Sequence, residues 1–128
     1  MARILVLDDD DSLLKVMSLM LKRAGHQVIA RDSVREGIET AFNERIDLAI
    51  IDVMMPEMNG YQVCNILRQD ARTSYIPLLI LTALDGHEEK ENAEDAGADA
   101  FVTKPVTLDA LRASVEQLLQ AGPRNVPA

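Results

Sequence analysis

The residues ILVLDDDDSLL at positions 4–14 decide how the chain is read. Four apolar residues in succession leave no position to face water, so the run reads as a strand buried on both faces. Four aspartates follow it directly. Adjacent carboxylates repel one another and raise one another's pKa values, so a plain turn had cheaper polar residues available. The acidic run therefore needs a reason beyond chain reversal.

Outward from this stretch, similar apolar runs recur at VIA (28–30), LAII (48–51), LLIL (78–81) and AFV (100–102), giving five strands. Between them the apolar spacing becomes helical. Leu13, Leu14, Met17, Met20, Leu21 and Ala24 form the first stripe, and Leu108, Leu111, Val115, Leu118 and Leu119 the last. Ser33 with Glu36 forms a capping box opening a second helix through Val34, Ile38, Ala41 and Phe42. Asn59-Gly60 precedes a third, with Val63, Ile66 and Leu67 inward. GHEEKENAEDA (86–96) is helical by length but very polar, with little beyond Ala93 and Ala96 to anchor it. Gly25 and Gly97 fall where helices end and permit a left-handed cap.

Strands alternating with helices imply right-handed crossovers and a parallel sheet covered on both faces. The expected fold is α/β: a five-stranded parallel sheet of order 2-1-3-4-5, a flavodoxin-like doubly wound (βα)5 arrangement. At 128 residues, 48% hydrophobic and 27% charged, the chain has the size of one globular domain. That domain is expected to span 1–121, with 122–128 a C-terminal tail or the start of a linker, since AGPRNVPA (121–128) is rich in Gly and Pro.

Thirteen Lys and Arg against 21 Asp and Glu leave a formal charge of −8, which argues against direct nucleic acid binding. The single cysteine, Cys64, cannot form an internal disulfide and reads as a packed helical residue. No apolar run approaches a membrane span, and the N-terminus meets acid too soon for a secretory signal, so a cytoplasmic location is expected. His26 and His87 lack ligand spacing.

In a doubly wound sheet, ligands bind beyond the carboxyl ends of strands, at the switch point between strands 1 and 3. Strand 1 ends in Asp8 and Asp9, strand 3 in Asp52. This all-oxygen set suits a hard cation, and Mg2+ in particular leaves positions for phosphate oxygens. Strand 4 finishes at Thr82, a hydroxyl, and strand 5 at Lys104, a cation followed by Pro105. A metal, a hydroxyl and an ammonium around one crevice can hold the oxygens of a phosphoryl group in transfer, with a carboxylate as nucleophile.

The segments VLDDD (6–10), IIDVMMPEMNG (50–60), LLILTA (78–83) and GADAFVTKP (97–105) together resemble the receiver domain of bacterial two-component response regulators. The resemblance runs from Arg3 to about Leu119. It implies that Asp52 is the phosphoacceptor, that Asp9 binds Mg2+ directly and Asp8 largely through water, and that the Met54 backbone carbonyl is a further ligand. Thr82 would be the switch hydroxyl, Lys104 the paired ammonium and Phe101 the aromatic switch residue. Lys104-Pro105 is expected to be cis, since proline lowers that cost to about 0.5–1 kcal/mol.

The implied partner is a histidine kinase or histidine phosphotransfer protein, and the implied output a change in the face of helix 4, strand 5 and helix 5, with a possible homodimer through it. Such a chain is a phosphoacceptor that assists its own phosphorylation and dephosphorylation rather than an enzyme. The polar fourth helix suits a mobile element. Met54 and Leu84 are apolar where chemotaxis receivers carry polar residues beside the path of the hydrolytic water, which predicts a long-lived phosphoryl group.

Three rivals are weighed against this reading. A dehalogenase-type phosphatase needs an acid two residues beyond its nucleophile, where Met54 stands. A flavodoxin-like cofactor binder would meet its phosphate with donors, not aspartates. A phosphorylation-independent pseudo-receiver, acting as a protein-binding module, fits poorly with the full set of Asp8, Asp9, Asp52, Thr82 and Lys104.

Overall fold

The structure is a computed structural model that describes residues 1–83 and 87–124. Strands β1 (Arg3–Leu7), β2 (Gln27–Arg31), β3 (Leu48–Asp52), β4 (Leu78–Thr82) and β5 (Ala100–Thr103) alternate with helices α1 (Asp11–Arg23), α2 (Val34–Asn43), α3 (Gly60–Gln69), α4 (His87–Asp95) and α5 (Leu108–Ala121). All strand pairs are parallel, in the order β2-β1-β3-β4-β5. The expected fold class is the observed one.

The unbroken apolar runs are explained by a core on each face of the sheet. Successive side chains of a strand point to opposite faces. Leu5, Leu7, Ala49, Ile51, Leu78 and Ile80 therefore pack with Val34, Ala41, Val63, Cys64, Leu67 and Ala96 on one side. Ile4, Val6, Leu48, Ile50, Leu79 and Leu81 pack with Leu14, Met17, Leu21, Leu111 and Val115 on the other. The edge strand β2 is less buried, and Ile66 is only half-buried on α3.

Local signals set the helix ends. Asp10 caps α1, its Oδ1 accepting from Leu13 N at 3.1 Å, while Asp11 lies in the first turn facing the positive end of the helix dipole. At α2, Ser33 Oγ accepts from Glu36 N at 3.2 Å, but the neighbouring donor Val34 N is taken by Glu57 Oε2 at 3.2 Å, from the loop after β3. The complete two-way capping box stands instead at Asn59 and Gln62, before α3. Gly25 and Gly97 hold φ of 96° and 93°. Beyond α5, Arg124 N donates to Tyr75 O and its guanidinium to Gly97 O, each at 2.9 Å. No described helix is long and apolar enough to cross a membrane.

Candidate functional site

The crevice lies where β1 and β3 end side by side in parallel register. Asp8, the residue after β1, is fully buried, and its Oδ1 accepts from Asp10 N at 2.9 Å, so the acidic run folds back on itself at the helix start. Asp9 is exposed at the rim, and Asp52 closes β3 at 2% exposure. One carboxylate oxygen from each of Asp8, Asp9 and Asp52 lies within 4.8 Å of the others.

Lys104 reaches this group from the end of β5. Its Nζ lies 3.1 Å from Asp52 Oδ1 and 3.4 Å from Asp8 Oδ2. The backbone holds it there, since Lys104 N donates to Thr82 O at 2.6 Å. The Lys104-Pro105 peptide bond is cis.

Electrostatics follow from burial. Loss of solvent pushes the Asp8 carboxyl up to about 6; the hydrogen bond from Asp10 opposes this, and the neighbouring charge of Asp52 adds to it. Burial works against the Lys104 ammonium, but its bond to Asp52 and the charges of Asp8 and Asp52 outweigh it, so its pKa is raised. An ammonium between two carboxylates stays charged. By contrast, burial pushes the Cys64 thiol up to about 12, which leaves it a packing residue without thiolate chemistry.

The loop after β3 is pinned against the site. Val53 N donates to Leu81 O and Gly60 N to Val53 O, each at 2.9 Å. This brings Gly60 so close to Asp52 that a Cβ there would lie 2.5 Å from the Asp52 carbonyl oxygen. Glycine is needed for that approach. Met54 is 71% exposed, whereas Met55 is buried in the core. Leu84 falls outside the described residues.

The two expected switch residues stand on the neighbouring strands β4 and β5. Thr82 is buried at the end of β4, and its hydroxyl donates to Glu89 Oε1 of α4 at 3.2 Å. Phe101 is half-buried, packed against the core on the α2 and α3 side of the sheet. Glu89 was missed in the sequence, although a signal was there. It stands four and seven residues before Ala93 and Ala96, the spacing of one helix face, and all three are buried.

A family model described as the response regulator receiver domain matches residues 4–116. The chain is a response regulator receiver domain. The receiver is 35% identical over 119 residues to Protein PilH of Pseudomonas aeruginosa, covering 93% of this chain and 98% of that one. It is 38% identical over 120 residues to the DNA-binding dual master transcriptional regulator RpaA of Synechocystis, covering 94% of this chain but 50% of that protein. The receiver thus spans about half the length of several curated relatives and nearly all of PilH. Among solved structures, the Vibrio cholerae chemotaxis response regulator CheY4 superimposes with a TM-score of 0.88 at 30% identity, covering 92% of this chain and 98% of that one. A phosphorylation-dependent switch in two-component signalling is the standard role of this family, and its members interact with histidine kinases or phosphotransfer proteins.

Proposed function

We propose that this receiver takes a phosphoryl group on Asp52 from a phosphohistidine of a histidine kinase or phosphotransfer protein. The carrying observation is the convergence of Asp8, Asp9 and Asp52 within 4.8 Å, with Lys104 Nζ 3.1 Å from Asp52. Three carboxylates against one ammonium leave surplus negative charge, and their hard oxygen donors fit Mg2+. Asp8, Asp9, Asp52 and the Met54 backbone carbonyl would hold it. When bound, Mg2+ supplies positive charge that screens the carboxylates from the incoming phosphoryl oxygens.

The residues then divide the chemistry. An Asp52 carboxylate oxygen attacks phosphorus as the phosphorus–nitrogen bond to the donor imidazole breaks, leaving an acyl phosphate here and a neutral histidine after protonation. Lys104 exchanges its bond to Asp52 for one to a phosphoryl oxygen, where its charge stabilises the transferring group. Thr82 supplies a hydroxyl to another phosphoryl oxygen. The output face comprises α4, β5 and α5, because Glu89, the partner of Thr82, lies on α4 and Phe101 on β5. Dimerisation through that face is one form the output can take.

Incubation with Mg2+ and acetyl phosphate, followed by intact-mass measurement, tests this reading. A single phosphoryl adduct on the native chain and none on Asp52→Asn is the expected result. An unmodified native chain would instead point to a protein-binding module that works without phosphorylation.

A further inference from the structure

We propose that Glu89 is a positioning residue that restrains Thr82 in the unphosphorylated protein, so that breaking their hydrogen bond links phosphoryl capture to movement of α4. The proposal rests on the reading of Asp52 and Thr82 given above. It starts from an anomaly of burial. In α4, Lys90, Glu91, Asn92, Glu94 and Asp95 are exposed, but Glu89 is 7% exposed and lies on the inward stripe with Ala93 and Ala96. A buried carboxylate is costly unless it is hydrogen-bonded. Glu89 is bonded to the hydroxyl of Thr82, itself 2% exposed, at 3.2 Å.

A threonine hydroxyl has one proton to donate. Glu89 Oε1 receives it in this structure, and a phosphoryl oxygen on Asp52 would require the same proton. The two acceptors compete, and both are negative. When Thr82 turns to the phosphoryl group, Glu89 is left buried without that donor, and its carboxylate is better solvated if α4 shifts to admit water. The hydrogen bond therefore opposes phosphoryl binding at one end and anchors a weakly apolar helix at the other. Its loss changes both together.

The test titrates the full chain with beryllofluoride, a phosphoryl mimic, at saturating Mg2+. Glu89→Ala is expected to bind it more tightly by roughly threefold to tenfold, the net worth of one hydrogen bond. Glu89→Gln keeps an acceptor oxygen and is expected to stay near the native affinity. Thr82→Ala is expected to abolish the gain, so that the double variant matches Thr82→Ala alone. Affinity for Mg2+ alone, in all variants, reports an intact fold and crevice. An unchanged affinity in Glu89→Ala overturns the proposal, as does a gain that persists without Thr82. A native chain that binds Mg2+ but no beryllofluoride overturns the reading of Asp52 itself.

Discussion

At the amino ends of the strands, the Asp99 carboxylate accepts from Leu78 N at 2.8 Å and Arg68 Nη2 at 2.7 Å, and Arg124 Nη1 lies 3.7 Å away as a second cation. Arg68 also donates to the carbonyls of Gly97, Ser74 and Ile76. At the carboxyl ends, Asp8 and Asp52 share Lys104, with the Asp9 carboxylate grouped beside them. In the first cluster the one carboxylate is matched by two guanidinium groups and the bonds are internal, so its role is to hold α3 and the starts of β4 and β5 together. The second sets three carboxylates against one ammonium, a surplus of negative charge that the proposed Mg2+ would offset.

Substitutions at the two ends are expected to differ in kind. The largest effect on stability is predicted for Arg68→Ala, which removes the donor shared by the carbonyls of Gly97, Ser74 and Ile76 and the cation paired with Asp99. A loss of about 1–3 kcal/mol in urea denaturation is expected, with phosphorylation of the folded protein by acetyl phosphate unchanged. Equal loss of phosphorylation and stability would erase the distinction between the ends.

Asp8→Asn is expected to behave oppositely. It relieves an unbalanced carboxylate, so metal-free stability at pH 7 is maintained or raised, while Mg2+ affinity falls by about 10–100-fold. Its pH dependence has a definite sign. Folding raises Asp8 from 3.8 to about 6, chiefly by burial, so between those values the folded chain holds a proton that the unfolded chain has released. The stability from this group is present below 3.8 and is lost as pH rises through about 6. Denaturation curves across this interval, without metal, are expected to show that decline in the native chain and its removal in Asp8→Asn. Added Mg2+ is expected to compensate at the upper end, since binding requires the deprotonated ligand.

The smallest effect is expected at the rim. Met54 is exposed beside Asp52, so Met54→Asn changes little in folding but offers a polar group to orient water. A severalfold shorter phosphoryl lifetime, measured by decay of the intact-mass adduct, is expected. An unchanged lifetime would remove this position from control of hydrolysis.

Much of the site was legible because strand ends are local features and parallel alternation brings them to one edge. Asp8, Asp9, Asp52, Thr82 and Lys104 each follow or close an apolar run, and the expected strand order places them around one crevice. Glu89 was harder to find. Its burial depends on the fold carrying a polar helix over the end of β4, and only Ala93 and Ala96 mark that face. The partnership of Glu57 with Val34 N was hidden for the same reason, since the loop after β3 and the start of α2 are distant in the chain.

Two kinds of information can thus be separated. The alternation of strand and helix, the glycine turns and the choice of an acidic strand end follow from periodicity and from backbone conformations that neighbouring residues dictate. How the charges are matched does not. Lys104 reaches two aspartates and Arg68 pairs with Asp99 because the fold brings together side chains far apart in sequence, and Thr82 meets Glu89 because a polar helix packs over the end of β4.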